Sequence, residues 1–255
     1  MEIKFFKGPN NKTTIILNDN TYSVPHHWFW PEFANGWEPQ TFSFFKRNLK
    51  EGTTYLDIGG WVGPTALMAT ELGAAKVVVV EPNPINFSKL LQIQFGNIGF
   101  FERWTLLNLC VSSHRGLSQI GPLEGVLNSS SATNIRDQNG VEVMSVLLED
   151  VVRPLSNISL IKIDIEGAEE LVVGDFSCLL KTGAAIWLSL HPPFYKDKQG
   201  FVNTLSDLRA HYILTDHENN KVEWSDLEDK ILSVEEKPIW GTPFGNFFEI
   251  GLIPK

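Results

Sequence analysis

The sequence has few cysteines and no long apolar run, and both absences exclude classes of function. Its two cysteines, Cys110 and Cys178, are far apart and do not form a metal-ligand spacing, so we expect two small buried side chains. No apolar stretch approaches the roughly 20 residues that a membrane-spanning helix needs. The segment Met1–Lys7 lacks the apolar core and the cleavage site of a signal peptide, so we expect a cytoplasmic protein without a membrane span.

Positive charge is scarce as well. The chain has 21 Lys and Arg against 30 Asp and Glu, a formal net charge of −9 at pH 7. Because polyanions bind to basic surfaces, this balance argues against a nucleic-acid partner. A length of 255 residues with 43% hydrophobic and 20% charged content is instead typical of one large globular domain with a small appendage.

What the sequence does contain is a strand–turn–helix pattern around Tyr55–Gly63. An apolar strand ends at Asp57, a glycine-rich turn follows, and a helix is predicted to begin near Pro64. Glycines allow positive φ and a close ligand approach, and such a turn lies at the ligand-binding edge of a parallel sheet. A second acidic residue, Glu81, ends the next apolar strand 24 positions after Asp57, close to the spacing that places an acidic side chain on ribose hydroxyls. The pair predicts a site for a nucleoside-containing cofactor.

The glycine spacing distinguishes between cofactors. A dinucleotide fingerprint requires Gly-x-Gly-x-x-Gly, and Trp61 stands two residues after Gly59, where the second glycine belongs. The string Asp57-x-Gly59-x-x-x-Gly63 instead resembles motif I of the class I S-adenosylmethionine (SAM) methyltransferases. Members of that class hold the methionine end of SAM over this turn and the ribose with the second acidic residue. The alternative is a turn that serves only the packing of the fold and binds nothing.

Apolar strands and helices alternate, which predicts an α/β fold: a Rossmann-like, doubly wound and mostly parallel sheet over residues 37–255. A small N-terminal cap over residues 1–36 precedes it, with a β-hairpin at 12–24 and an aromatic segment at 28–33. Asn83 is predicted to cap the helix that follows it, and Glu166 to open another helix. Residues 113–140 show no strong period. Strands are predicted at 53–58, 76–81, 106–111, 141–145, 160–164, 184–190, 212–215 and 246–252.

Three segments together resemble the FkbM-type methyltransferases: Asp57–Pro64, Glu81–Pro84 and Ile161–Glu169. The string Lys-Ile-Asp-x-Glu-Gly-Ala-Glu in the third segment is the most specific, and the Leu-His-Pro-Pro string at 190–193 is also similar. The resemblance covers roughly residues 35–195. It implies the class I fold, SAM as the methyl donor, and methylation of hydroxyl oxygens on sugars, polyketides and related small molecules or glycans.

The resemblance also implies where the cofactor binds. Glu38 and Thr41 could reach the methionine carboxylate and amine, although capping of the following helix explains them equally well. Backbone groups of Cys110 and Val111 lie where adenine binds in such folds. Trp61 is a difference from the family, in which an asparagine is common. The predicted cofactor-binding residues are Glu38, Thr41, Asp57, Gly59, Gly60, Trp61, Gly63, Glu81, Pro82, Asn83, Cys110, Val111 and Asp164.

Methyl transfer is an in-line displacement, which needs the acceptor oxygen about 3 Å from the methyl carbon. A sugar hydroxyl is a weak nucleophile near neutral pH, so a base or a metal should help to remove its proton. Asp164 and His191 end central strands and Glu166 follows closely, so these three are the predicted catalytic residues, with His191 or Asp164 as the base. The alternatives are that Asp164 orients the SAM amine, that His191 bonds only to backbone, and that Glu166 complements a helix dipole.

The expected function is therefore SAM-dependent O-methylation of a sugar, glycan or small natural product. The three catalytic candidates could bind a divalent metal, but they show no tight ligand spacing, so no metal site is predicted. Alternatives are an N-methyltransferase, since His191-Pro192-Pro193-Phe194 approaches the Asn/Asp-Pro-Pro-Tyr/Phe string, an NAD-dependent oxidoreductase, and a non-catalytic SAM-fold binding protein. The sequence leaves a homodimer open.

Overall fold

A computed structural model describes residues 2–8, 13–122, 126–129, 134–135, 140–216, 218–234 and 247–255. Its strands are β1 (Ile3–Lys7), β2 (Thr13–Leu17), β3 (Asn20–Val24), β4 (Thr54–Ile58), β5 (Lys76–Val80), β6 (Trp104–Leu107), β7 (Cys110–Val111), β8 (Gly116–Gly121), β9 (Asn134–Ile135), β10 (Val141–Val146), β11 (Ile158–Ile163), β12 (Ala185–Leu190), β13 (Tyr212–Thr215) and β14 (Phe248–Pro254). Its helices are α1 (Phe29–Ala34), α2 (Pro39–Asn48), α3 (Pro64–Glu71), α4 (Pro84–Gly96), α5 (Phe100–Arg103), α6 (Leu148–Val152), α7 (Glu169–Val172), α8 (Ser177–Leu180), α9 (Lys198–Leu205) and α10 (Trp224–Ser233).

The central sheet has seven strands in the order β13-β14-β12-β11-β4-β5-β6. Strands β6, β5, β4, β11 and β12 pair in parallel, and β14 runs antiparallel to both β12 and β13. Every residue of β4, β11 and β12 is buried, because parallel strands covered by helices on both faces need apolar side chains on both. The predicted α/β fold with a mostly parallel sheet is confirmed.

The strand order reverses beside β4, and this reversal positions the site. From β4 the chain builds outward through β5 and β6 on one side, and later through β11 and β12 on the other. Asp57 therefore pairs with Lys162 across the two central strands, and Ile58 pairs with Ile163. The carboxyl ends of β4 and β11 lie side by side, and ligands of open α/β sheets bind at such a reversal.

Two buried clusters cover the two faces of the sheet. Successive residues of β4 alternate between them: Tyr55 belongs to one cluster and Leu56 to the other, as the strand periodicity requires. The Tyr55 cluster also contains Ile15 of the β2–β3 hairpin and Trp30 of α1, together with Leu67 of α3. The predicted hairpin is confirmed, with β1 added as a third strand. The predicted cap thus shares its core with the main sheet, and a boundary at residue 36 stays a prediction.

The single strand predicted at 106–111 is wrong. The chain forms β6 in the central sheet and β7 in a second sheet with the order β7-β10-β8-β9. Asn108 causes the break, because its side-chain amide donates to the carbonyl oxygens of Glu81 at 2.8 Å and Pro82 at 3.1 Å. Cys110 then pairs with Ser145 of β10. Strand β8 also lies in this second sheet, within residues 113–140, where no strong hydrophobic periodicity predicted a strand.

The helix predicted to open at Glu166 is also wrong. Glu166 (φ 55°) and Gly167 (φ 97°) form a left-handed turn, and α7 begins only at Glu169. A Cβ atom on Gly167 would lie 2.5 Å from the Cβ of Phe194, so the turn and the segment after β12 approach too closely for a side chain there. No helix among the described residues combines the length and the apolar character needed to cross a membrane.

Candidate functional site

The glycine-rich turn after β4 is held in left-handed backbone conformations. Gly59 (φ 89°), Trp61 (φ 48°) and Gly63 (φ 91°) all have positive φ. A Cβ atom on Gly59 would lie 1.7 Å from the carbonyl oxygen of Asp164, and one on Gly60 would lie 2.1 Å from a methyl group of Val79. Glycine is therefore required both by the conformation and by contact with the neighbouring strands.

Glu81 fastens this turn to the next strand–helix connection. Its Oε2 accepts the backbone N–H of Trp61 at 2.8 Å, and its Oε1 accepts the N–H of Asn83 at 2.8 Å. Burial raises the pKa of Glu81 to about 7, although these N–H groups oppose the rise. A carboxylate offers about four acceptor positions, so Glu81 can hold the turn and still accept ribose hydroxyls. Asn83 caps α4, as predicted, by accepting the N–H of Ile85 at 2.9 Å.

Asp57 lies beneath the turn and is fully buried. One carboxylate oxygen accepts the hydroxyl of Thr65 at 2.6 Å, which links β4 to α3. The nearby hydroxyl of Tyr55 favours the ionised form of this carboxylate. Burial raises the pKa of Asp57, and the positive charge of Lys162 opposes this. Asp57 therefore anchors the end of β4 beneath the turn, and its contact with a cofactor stays a prediction.

The three predicted catalytic residues meet at the ends of β11 and β12. Nε2 of His191 lies 3.5 Å from Oε2 of Glu166 and 3.9 Å from Oδ1 of Asp164. The other oxygen of Asp164 accepts from Nζ of Lys162 at 2.7 Å. Because the carbonyl of Asp164 touches Gly59, this cluster lies directly beside the glycine-rich turn.

Behind His191 lies a buried network that the sequence only partly indicated. Glu169 is fully buried, and its Oε1 lies 3.0 Å from Nδ1 of His191. The same oxygen accepts the N–H groups of Ile165 at 3.2 Å and Gly167 at 3.3 Å, and Oε2 accepts the hydroxyl of Tyr195 at 3.1 Å. The sequence singled out Glu169 as the last residue of the family-like string Ile161–Glu169. It gave no signal for Tyr195, which reaches this network only through the turn after β12.

Charge is shared unevenly within the cluster. Burial alone would lower the pKa of His191, but the carboxylates of Glu169, Glu166 and Asp164 outweigh it and raise the value to about 10. Burial raises the pKa of Glu166 to about 7 against the pull of His191. For Asp164, burial is outweighed by Lys162 and His191, and its pKa is lowered. These carboxylates therefore favour the protonated form of His191, and the role of base stays a prediction.

The structure brings Glu38 to the same edge. Its carboxylate accepts the hydroxyl of Thr41 at 2.9 Å. Burial, followed by the negative charge of Glu249, raises the pKa of Glu38, and the charges of Lys162 and Asp164 also act on it. Glu249 lies on β14 and was missed, because an isolated glutamate in an apolar strand carries no motif.

Cys110 and Val111 are buried in β7 of the second sheet, and not at the end of a central strand. Burial raises the pKa of the Cys110 thiol to about 12, and the charge of Glu81 adds to the rise. Cys110 therefore lies close enough to Glu81 to feel its charge. An adenine contact there stays a prediction.

The aromatic segment of the cap packs onto the turn through Trp61. The ring centroids of Phe29 and Trp61 are 4.5 Å apart, and those of Trp28 and Trp61 are 5.9 Å apart. The indole N–H of Trp61 donates to the carbonyl oxygen of Ser129 at 3.0 Å. Phe29 is buried, whereas Trp28 is 64% exposed. Most of the segment is packing, and Trp28 is its exposed part.

Comparisons with solved structures place this fold among methyltransferases. A candidate rRNA methylase from Clostridium thermocellum aligns with a TM-score of 0.50 and 10% identity over 85% of this chain and 94% of that one. A candidate methyltransferase from Streptococcus mutans in complex with S-adenosylhomocysteine (SAH) aligns with a TM-score of 0.48 and 9% identity over 85% and 97% of the two chains. A methyltransferase FkbM from Methylobacillus flagellatus aligns with a TM-score of 0.45 and 13% identity over 73% of this chain.

This chain spans 49% of the length of the Methylobacillus flagellatus protein. No curated protein matches the sequence. The family profile described as Methyltransferase FkbM domain matches residues 57–209, more than half of the chain. That range begins at Asp57 and includes the glycine-rich turn, Glu81 and the whole Asp164–His191 cluster. The chain belongs to the FkbM methyltransferase domain family.

Proposed function

We propose that this enzyme transfers the methyl group of SAM to a hydroxyl oxygen of a sugar, glycan or small natural product. The main support for this proposal is that the side chains of Asp164, Glu166 and His191 lie together beside the glycine-rich turn. One side-chain oxygen or nitrogen from each residue lies within 4.8 Å of the others. A hydroxyl bound there would face groups able to hold it and to receive its proton.

The proposed methyl transfer forms one bond, breaks one bond and moves one proton. The acceptor oxygen forms a bond to the methyl carbon as the bond from that carbon to sulfur breaks, which leaves neutral SAH. The hydroxyl proton passes to a carboxylate of the cluster. Methyl transfer to a neutral oxygen removes the positive charge from sulfur and leaves it briefly on the acceptor, so a carboxylate within reach stabilises this step.

The charge of the surroundings supports a cationic cofactor. Five carboxylates and two basic groups act on one another at this edge of the sheet: Glu38, Asp164, Glu166, Glu169 and Glu249 with Lys162 and His191. The positive sulfonium of SAM is attracted to such a set, and SAH, which lacks that charge, is attracted less. In this proposal the glycine-rich turn and Glu81 supply the remaining cofactor contacts, and the buried Asp57 supports the turn from below.

The same charge favours an uncharged acceptor. A nucleic acid or a phosphorylated sugar would bring negative charge to a chain whose formal net charge is already −9, and like charges in a partly buried site repel. The proposal therefore names a neutral sugar, glycan or natural-product hydroxyl. We also propose that the protein is cytoplasmic, which its low cysteine content supports. A homodimer is compatible with this function.

The test begins with the cofactor and ends with the acceptor. Calorimetric titration of the purified protein with SAH, with NAD as the control, measures the cofactor preference. Incubation with methyl-labelled SAM and a panel of neutral sugars, polyols and aryl alcohols, beside matched amines and short RNAs, then measures the acceptor. Label in a base-stable ether on a hydroxyl compound supports the proposal. Label confined to amines or RNA overturns it and leaves an N- or RNA-methylating enzyme.

A further inference from the structure

The geometry points to a divalent-cation site formed by Oδ1 of Asp164, Oε2 of Glu166 and Nε2 of His191. The cation would bind the acceptor oxygen, and only this role rests on the proposed function. Binding of the cation itself can be measured without any acceptor.

The separations are those of atoms that share an ion. Nε2 of His191 lies 3.5 Å from Glu166 and 3.9 Å from Asp164, beyond the about 2.7–3.2 Å of an ordinary N–H···O hydrogen bond. A cation bound at about 2.0–2.2 Å holds neighbouring ligand atoms about 3–4 Å apart. The three ligand atoms, all within 4.8 Å of one another, thus lie at the separations of atoms that bind one ion.

Each ligand is held in place by a further residue. Nδ1 of His191 lies 3.0 Å from Oε1 of Glu169, which directs Nε2 toward the two carboxylates. A carboxylate behind a histidine in this way orients metal-bound histidines and raises their basicity. Nζ of Lys162 donates to Oδ2 of Asp164 at 2.7 Å, which leaves Oδ1 of Asp164 on the side of His191. Glu166 lies in a left-handed turn, and the backbone N–H of the next residue, Gly167, donates to Glu169. These two features fix the backbone of Glu166.

The nature of the ligands narrows the cation. Imidazole nitrogen suits zinc, iron and related transition ions, whereas carboxylates also suit magnesium, calcium and manganese. One nitrogen with two carboxylates is a set that Mn²⁺, Fe²⁺ and Zn²⁺ accept more readily than Ca²⁺, which takes six to eight oxygens. Three protein ligands leave positions open for a substrate oxygen.

The rival explanation is that a protonated His191 already neutralises the carboxylates. It predicts a histidine that keeps its proton at neutral pH and a site that binds no metal. The two explanations therefore differ in whether added Mn²⁺ is bound, and in which side chains that binding requires.

The experiment uses the full chain, freed of metal by dialysis against EDTA and titrated with Mn²⁺ in the absence of acceptor. Loss of the free Mn²⁺ paramagnetic resonance signal counts the ions bound, and calorimetry gives their affinity. We expect one ion per chain. Glu166→Gln and His191→Gln should weaken binding tenfold or more, and the exposed carboxylate control Glu102→Gln should leave it unchanged. Competition with Mg²⁺ and Zn²⁺ ranks the cations.

Glu169 serves as the positioning test. Glu169→Gln keeps the volume of the side chain and should weaken Mn²⁺ binding about 10- to 100-fold, while SAH affinity and the unfolding midpoint stay close to wild type. Loss of all three together would instead mean a structural role.

Two outcomes overturn the cation site and leave the proposed function intact. One is no saturable binding of Mn²⁺, Mg²⁺ or Zn²⁺ by a protein that binds SAH and methylates a hydroxyl in EDTA. The other is equal Mn²⁺ affinity in wild type, Glu166→Gln and His191→Gln. The reverse result, Mn²⁺ bound through these residues with methyl transfer only to amines, overturns the proposed function and keeps the site.

Discussion

The two sides of the strand reversal are built differently. On the β4 side, the glycine-rich turn is joined to Glu81 through the backbone N–H groups of Trp61 and Asn83. On the β11 side, the cluster consists of side chains, and His191, Glu166 and Glu169 meet only when β11 and β12 lie side by side. The first side depends on backbone conformation and the second on side-chain placement, so substitutions should affect them separately.

The largest effect is expected where the two sides touch. Gly59→Ala would place a methyl group against the carbonyl of Asp164, in a left-handed conformation that disfavours side chains. We expect the free energy of unfolding to fall by about 2–5 kcal/mol and SAH binding to be lost. Urea unfolding and calorimetry measure both. Gly174→Ala is the control, because no heavy atom lies within 4 Å of its added Cβ. A Gly59→Ala protein with wild-type stability and affinity would contradict the contact.

His191→Gln should separate the two sides. It removes a ring from the cluster and leaves the glycine-rich turn and Glu81 untouched, so kcat for the methylated hydroxyl compound should fall by about 10²- to 10⁴-fold. SAH affinity should remain that of the wild type. The matched control is His211→Gln, an exposed histidine, which should change neither. A parallel loss of SAH affinity in His191→Gln would show that the two sides are not independent.

Glu81→Gln should have the opposite profile. The amide cannot accept both N–H groups and the ribose hydroxyls as a carboxylate does, and hydrogen bonds to charged groups contribute about 1.5–3 kcal/mol. We expect SAH affinity to fall about 10- to 100-fold, with kcat at saturating SAM reduced far less. Unchanged SAH affinity would exclude the ribose role of Glu81.

The smallest predicted effect is a pH dependence of cofactor binding. Burial raises the pKa of Glu81 to about 7, so below that pH the ligand-free protein carries a proton on this side chain. The ionised carboxylate is the better acceptor for ribose hydroxyls, so binding must release the proton, and SAH affinity should fall as the pH drops below 7. One linked proton limits the slope to about tenfold per pH unit. Calorimetry from pH 8 to pH 5.5 measures it, and a slope that persists in Glu81→Gln would assign it to another group.

The contrast also explains what the sequence could and could not predict. Asp57, the glycines and Glu81 lie within one strand–turn–helix–strand stretch, so local spacing was enough to predict the turn, the cap at Asn83 and the parallel sheet. Most central strands were predicted as well, because buried parallel strands are continuous apolar runs. These predictions needed no knowledge of which distant residues meet.

Where the sequence prediction failed, a tertiary contact decided the local structure. The break at Asn108 depends on two carbonyl oxygens more than 20 residues earlier in the chain. The late start of α7 depends on the close approach of Phe194 to Gly167. Glu249 and Tyr195 join the cluster through strand pairing and a turn that no motif marks. The spacing of residues in the sequence determines their positions along one helix or strand. It does not show which distant residues come into contact.

The contact of Gly59 with Asp164 has a consequence for how the family can diversify. Because a Cβ atom on Gly59 would lie 1.7 Å from the carbonyl oxygen of Asp164, even the smallest side chain is excluded where the glycine-rich turn meets the end of β11, although substitutions elsewhere on the two sides act separately. We expect relatives that accept different substrates to keep glycine at this position and to differ at exposed residues near the turn, such as Trp28, which is 64% exposed and contacts Trp61.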